Sequence, residues 1–203
     1  MAEQQVKTNA AAGKGSRRVV DKWKKKKWFT INASRIFDKK PIAETPAEKP
    51  KNLVNRTIRT TLDTLTGNRM KRDWYIYLKT NDIQGQNIST KLSKFEMNKG
   101  SLGRSVRRRN SKIALTEKIS VVGGEARFTI VAITDKKATR RQEAGIRDIM
   151  KKELLSQSGK EFEDISKDLL LGNLPGEIAK KTAKVFLVKK VIPAKGIFTE
   201  KNN

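Results

Sequence analysis

The sequence predicts an α+β fold: a curled antiparallel β-sheet or β-barrel, with C-terminal helices packed on it and a disordered basic N-terminal tail. Three observations carry this. Residues 28–134 consist of short β-prone runs separated by turn signals. After Thr139 the apolar spacing changes from that of strands to that of helices. Residues 1–27 lack a hydrophobic period and end in Lys24-Lys25-Lys26-Lys27. The expected organisation is a basic RNA-binding tail over 1–27, one domain over 28–196 and a polar tail over 197–203. Within the domain, 28–134 is mainly strands and 135–196 is mainly helical with a closing strand.

Trp28-Phe29-Thr30-Ile31 opens the domain as a strand. Pro41, Pro46 and Pro50 mark an irregular connection. Leu53 to Leu65, rich in Thr, Val, Ile and Leu, reads as a strand, and Gly67-Asn68 as a turn. Asp73 to Leu78 is the clearest strand, with both faces apolar or aromatic. Gln84 to Asn87 turns the chain into a strand near Ile88 to Met97. Residues 99–110 read as a short helix or a basic loop. Ile113 to Val122 and Ala126 to Thr134 flank Gly123-Gly124, a hairpin signal.

In the last third, Thr139-x-x-Gln142 forms a capping box, followed by Ile146, Ile149, Met150 and Leu154 at helical spacing. Arg140, Arg147 and Lys151 occupy another face of that helix. A second box, Ser158-x-x-Glu161, opens a helix with Phe162, Ile165 and Leu169 inward and ends it at Gly172-Asn173. Pro175 suits the first turn of a third helix. Val185 to Val188 is the expected last strand.

Charge narrows the function. The chain has 203 residues, with 46 Lys or Arg against 21 Asp or Glu, for a formal net charge of +25. Such a surplus repels itself in a free globule and is relieved beside a polyanion, where counterion release favours binding. A membrane surface is the rival, but the chain shows no long apolar run, signal-peptide core or lipidation motif. The sequence has no cysteine and no histidine. Thiolate and imidazole chemistry are therefore excluded, which argues against an enzyme and against a transition-metal site. No cofactor or metal is expected, because no P-loop, dinucleotide fingerprint, zinc spacing or nucleophile elbow occurs.

The candidate RNA contacts are basic clusters, several at loops or element ends: Arg17-Arg18, Lys24 to Lys27, Arg69 with Lys71 and Arg72, Arg104 with Arg107-Arg108-Arg109, Lys136-Lys137, and Arg140-Arg141. Arg56 and Arg147 join them. Arginine offers a planar fork to phosphate, lysine a mobile point charge. Ordinary surface charge explains one such cluster more readily than six. Trp23, Trp28, Trp74, Tyr75 and Tyr77 have the chemistry to stack on bases. Trp74 and its neighbours read as core, and Trp28, beside the lysine run, as a stacking residue. Gly100-Ser101-Leu102-Gly103 fits the GxxG of a KH loop, but the surrounding strand order does not supply a KH domain. Glu161, Glu163, Asp164 and Asp168 form the one acidic concentration and read as a solvated helix face, with a basic neighbour protein as another reading.

Blocks spread along the folded part carry a family resemblance. They are Trp28-Phe29-x-Ile31 with Phe37 downstream; Leu53 to Leu65; Thr80-Asn81-Asp82-Ile83-Gln84-Gly85-Gln86-Asn87; Lys136-Lys137 leading to Arg140-Arg141-Gln142 and Ile146-Arg147-x-Ile149-Met150; and Ile178-Ala179-Lys180 to Val188-Lys189-Lys190-Val191. In order and separation they resemble the S-one-e, or S-three-a, family of small-subunit ribosomal proteins shared by archaea and eukaryotes. Asn55, Arg59, Thr64 and the placement of Asp63 depart from the family pattern, as does Lys189 where Arg is usual. The long C-terminal extension of eukaryotic members is missing, which implies a short, archaeal-type member.

The resemblance implies a place on the small-subunit platform, near the 3′ end of its rRNA and the mRNA exit. It implies small-subunit rRNA, neighbouring ribosomal proteins and mRNA near the exit as partners. It implies no membrane, catalytic activity or cofactor, and a location in cytoplasmic ribosomes. A general RNA-binding protein or RNA chaperone without a dedicated ribosomal site fits the charge equally well and predicts equal affinity for any RNA. A nucleic-acid enzyme acting through Asp63, Asp82 or the Glu161 group is the third reading, weakened by the lack of histidine.

Overall fold

The computed structural model describes residues 22–200. Eight strands form one sheet that is not closed: β1 (Lys27–Asn32), β2 (Pro41–Ala47), β3 (Thr57–Thr61), β4 (Trp74–Gln84), β5 (Asn87–Met97), β6 (Lys112–Val121), β7 (Gly124–Thr134) and β8 (Val188–Glu200). Five helices accompany them among the described residues: α1 (Leu62–Thr66), α2 (Lys99–Ser105), α3 (Arg140–Leu155), α4 (Phe162–Leu171) and α5 (Asn173–Thr182).

The sheet forks at β5. One edge of β5 pairs with β4, which in turn pairs with β3. The other edge takes β1 at Asn87 and Ile88 and β8 at Lys94 to Glu96. From there β1 leads to β2, and β8 leads through β7 to β6. All pairings are antiparallel except β1 with β5, so the sheet is mixed where an antiparallel one was expected.

Helices α3, α4 and α5 cover one face. Ile146, Met150 and Leu154 of α3, Phe162, Ile165 and Leu169 of α4, and Ile178 of α5 bury against Phe95, Phe128, Ile130 and Ala132. A run of rings ties strands to helix. Phe95 lies 6.2 Å from Phe128, Phe128 5.5 Å from Phe162, and Phe162 5.5 Å from Phe198. Each such pair adds about 0.5–1.5 kcal/mol beyond its burial. The capping box at Thr139 and Gln142 is present, and Gly172 closes α4 in the left-handed region.

Several local expectations change. Pro41 and Pro46 lie inside β2, not in an irregular connection. That strand pairs only with β1, and an edge strand tolerates residues without an N–H. The run Leu53 to Leu65 is broken: only Thr57–Thr61 is strand, and Leu62 and Leu65 bury from α1. Ser158 opens no helix. α4 starts at Phe162, and Glu161 stands at its N-cap without a capping bond. The last strand does not occupy Val185 to Val188. It starts at Val188 and runs to Glu200, through the first residues expected as polar tail. Gly100 to Gly103 lies within α2, capped by Asn98 accepting from the Gly100 N–H, so it is helix and not a KH-type loop. Trp74 is half-buried against the core, and its Nε1 donates to the Pro193 carbonyl at 3.1 Å. Tyr75 and Tyr77 alternate with buried Ile76 and Leu78, on the face away from α3, α4 and α5, and so are not core.

Candidate nucleic-acid interface

One end of the sheet collects the start of β6, the end of β7 and the start of β8, and most of the charge exposed there is basic, with Asp135 the acid among it. The turn before β6 presents Arg107, Arg108 and Arg109, all exposed. Asn110 N–H donates to the Arg107 carbonyl, and Arg109 holds φ 70°, a left-handed conformation unusual for a side chain of its size. The segment after β7 presents Lys136 and Lys137, both exposed.

Two buried hydroxyls join these segments. The Ser111 N–H donates to Thr134 Oγ1 at 2.8 Å, and the Thr134 N–H donates to the Ser111 carbonyl at 3.0 Å. Thr134 Oγ1 donates to the Lys136 carbonyl at 2.6 Å. Ser111 Oγ accepts from the Ala138 N–H at 3.1 Å. Thr134 is fully buried. The arginine turn and the lysine segment therefore form one unit with fixed spacing, although 26 positions of sequence, the hairpin between them, separate Asn110 from Lys136.

Arg140 and Arg141 continue the unit in the first turn of α3. Cations there oppose the helix dipole, which favours anions at an N-terminus. A phosphate beside them relieves both terms. Arg104, on α2, donates to Ser101 Oγ at 2.8 Å while staying exposed. Arg147 is half-buried and faces Glu143 Oε2 at 3.5 Å, which ties its charge within the helix.

Sequence reasoning missed Lys112, Lys189 and Lys190 as part of this end. Thr134 pairs with Val188 and Ile133 with Lys190, so Lys189 is an extra residue in β8. Regular alternation turns one of two adjacent lysines inward; the bulge leaves both exposed. The dibasic pair was visible in the sequence, but the bulge was not.

The other predicted residues lie apart from this unit. Lys24 to Lys27 and Trp28 are exposed where β1 begins, and Trp28 remains 57% exposed. Lys26 Nζ sits 4.4 Å from the Trp23 ring centre. Arg56 approaches the same arm: its guanidinium donates to Thr45 Oγ1 at 2.8 Å, and Thr45 neighbours Pro46, the pairing partner of Trp28. Arg69 and Arg72 are exposed on a short turn after α1. Lys71 Nζ donates to the Leu170 carbonyl at 3.0 Å, at the C-terminal end of α4, and burial holds its pKa below the usual lysine range. Lys71 is therefore a structural contact. Arg17 and Arg18 lie outside the described residues.

The acidic cluster serves the fold. Glu163 Oε1 accepts from Ser34 Oγ at 2.6 Å and from the Leu92 N–H at 3.0 Å. Arg35 reaches Glu161 at 2.8 Å and Asp164 at 3.5 Å. It borders a cleft of about 980 Å³ between Asn32 to Arg35, Ser89 to Ser93 and the tip of the β6–β7 hairpin. Among the described residues, no group of three acidic side chains is placed to hold a metal ion.

An α+β domain with a net charge of +25, whose acidic cluster is engaged in holding α4 while a fixed group of cations is exposed at one end of its sheet, belongs to the class of basic proteins built against a polyanion. The chain belongs to the ribosomal S3Ae family, whose family model matches residues 14–199. It is 33% identical over 178 residues to small ribosomal subunit protein eS1 of Archaeoglobus fulgidus, covering 86% of this chain and 84% of that one. It is 31% identical over 175 residues to the protein of the same name from Sulfurisphaera tokodaii, covering 85% and 91% respectively. Members of this family are ribosomal proteins, structural components and not enzymes, and RNA binding and a part in translation in the cytoplasm follow from that role.

Proposed function

We propose that this chain is a structural component of the small ribosomal subunit that holds rRNA through the basic end of its sheet. The observation that carries the reading is the Ser111–Thr134 junction, which fixes Arg107 to Arg109 against Lys136 and Lys137. Fixed cations bind a shaped phosphate backbone with less ordering cost than mobile ones. Lys24 to Lys27, Trp28 and Arg56 provide a second contact on the β1–β2 arm, and Arg69, Arg72, Arg104, Arg140 and Arg141 add phosphate contacts beside the two. The place on the subunit is the platform, near the 3′ end of the rRNA and the mRNA exit, with neighbouring ribosomal proteins as further partners. This placement rests on the family resemblance, as does contact with mRNA.

The test is binding to fragments of small-subunit rRNA across a salt series, with unrelated RNA as competitor. The expected result is a steep log–log slope with one fragment still preferred at high salt. Equal binding of every RNA contradicts a dedicated site and favours an RNA chaperone.

A further inference from the structure

The face of the sheet opposite α3, α4 and α5 divides into two halves, which β7 displays on a single edge-to-edge run. Val131 and Ile133 on this face are buried by Leu102 and Val106, which α2 and the residue after it lay across them. Arg127 and Glu125, on the same face of the same strand, are exposed, and Thr129 is half-buried. No helix covers this half among the described residues.

The strand registers align a continuous row of side chains across it: Arg59 opposite Tyr77, Tyr77 opposite Lys94, Lys94 opposite Ile197, Ile197 opposite Arg127, and Arg127 opposite Lys118. At about 4.8 Å per strand the row spans about 24 Å. Beside it, Tyr75, Glu96 and Lys195 follow the same order on neighbouring strands. The Arg59 guanidinium lies 3.8 Å from the Tyr75 ring centre, and Lys94 Nζ lies 4.5 Å from that of Tyr77.

Two features separate this half from an ordinary solvated surface. Lys118 and Arg127 are directly paired, and like charges across a strand pair destabilise it. Among the described residues, none of Arg59, Lys118, Arg127 and Lys195 has a carboxylate within 4.0 Å. Glu96 is engaged locally, by Lys94 at 2.6 Å and by the Tyr77 hydroxyl at 2.7 Å. Lys195, opposite Glu96, shares in holding that carboxylate's charge. An anion arriving on the face therefore finds Arg59, Lys118 and Arg127 without an ion-pair partner among the described residues, at strand spacing, with planar groups between them.

We infer that this uncovered half of the sheet is a further RNA surface, distinct from the basic end and the β1–β2 arm, one that takes a single strand laid across β3, β4, β5, β8, β7 and β6. Phosphates meet Arg59, Lys195, Arg127 and Lys118. Bases stack on the Arg59–Tyr75 pair and beside Tyr77, because guanidinium planes and aromatic rings accept any base. A duplex buries its bases and reaches only the cations. A protein partner is disfavoured, because protein interfaces are apolar and poor in charge at their centre, whereas Ile197 is the one aliphatic side chain in this row.

The surface is separate from the basic end and is testable on the isolated full chain. The probe is fluorescein-labelled single-stranded oligouridine, titrated across a salt series against the same RNA annealed to its complement. The variant Arg59→Ala/Lys118→Ala/Arg127→Ala/Lys195→Ala is expected to lower the single-strand slope by about 3, at about 0.7 per phosphate contact. The variant Arg107→Ala/Arg108→Ala/Arg109→Ala must leave single-strand binding at the face intact while weakening the rRNA fragment, so failure of one surface is distinguishable from failure of the other. The unaltered chain provides a second measurement: 4-thiouridine in the probe should crosslink to the peptide holding Tyr75 and Tyr77. Crosslinks confined to Lys24 to Trp28, to Arg104 to Arg109 and to Lys136 to Arg141, with the slope unchanged, overturn the inference. So does selective capture of an acidic polypeptide in place of oligouridine by this face.

Discussion

The start of α4 and the basic end of the sheet are both dense in charge, and they treat it in opposite ways. Glu161, Glu163 and Asp164 are drawn into contacts with Arg35, Ser34 and the Leu92 N–H, which fasten the helix to the fork in the sheet. Arg107 to Arg109, Lys136 and Lys137 are held in place by buried neutral groups, Ser111 and Thr134, while their charged ends point to solvent. Acids here maintain the fold, and neutral hydroxyls position cations for something else. From the sequence the acids read as a solvated helix face and the cations as RNA contacts. What separates them is whether the opposite charge sits within reach, a tertiary fact.

The largest change to this arrangement should come from the frame that both regions share. Gly196 pairs with Phe95 where β8 meets β5, and a Cβ there collides with the fully buried Phe95 ring. Gly196→Ala is expected to lose about 3 kcal/mol by overpacking, read as a lower urea midpoint at unchanged slope.

Glu163→Ala is expected to lose about 1.5–3 kcal/mol, since it leaves the Leu92 N–H without its charged acceptor. RNA affinity of the folded fraction should not change. Thr134→Val is expected to lose about 1–3 kcal/mol and, unlike Glu163→Ala, to weaken rRNA binding, although no charge is removed. If Thr134→Val destabilises the protein without weakening RNA binding, the hydroxyl junction does not position the cations.

Smaller effects follow at the outer face and at exposed pairs. The Lys94 ammonium, with the Tyr77 hydroxyl, holds the Glu96 carboxyl below its usual value of 4.5. A depressed pKa stabilises the fold above the unfolded value, and this contribution is lost as pH falls through the folded one. Glu96→Gln should therefore flatten the stability profile below about pH 4.5 and leave it unchanged in shape above. Arg35→Ala removes exposed ion pairs and should change stability by about 1 kcal/mol or less.

Much of the architecture could be read before the fold was seen. The Gly123-Gly124 hairpin, the run at Trp74 to Leu78 and the Thr139 capping box each depend on residues close in sequence. The errors share a cause. Pro41, Pro46, Pro193 and Gly196 look like strand breakers locally, yet each occupies a strand because an edge, a bulge or a neighbouring ring accommodates it. Tyr75 and Tyr77 looked like core because hydrophobicity cannot say which face of a sheet the helices choose. The clusters of the candidate site were legible as charge. That Arg107 to Arg109 and Lys136 to Arg141 form one surface, and that Lys71 and Arg147 are engaged within the fold, depended on contacts between distant segments.

The most direct measurement is the salt dependence of binding to a small-subunit rRNA fragment for two variants that lose equal charge. One carries alanine at Arg107, Arg108, Arg109, Lys136 and Lys137. The other carries alanine at five exposed helix-side lysines: Lys152, Lys160, Lys167, Lys180 and Lys181. A dedicated basic end predicts that the log–log slope falls by about 4 in the first variant, at about 0.7–0.9 per contact, and by less than about 1 in the second. Equal falls in both would contradict it, and would mean that total charge, not the junction at Ser111 and Thr134, determines how this protein meets RNA.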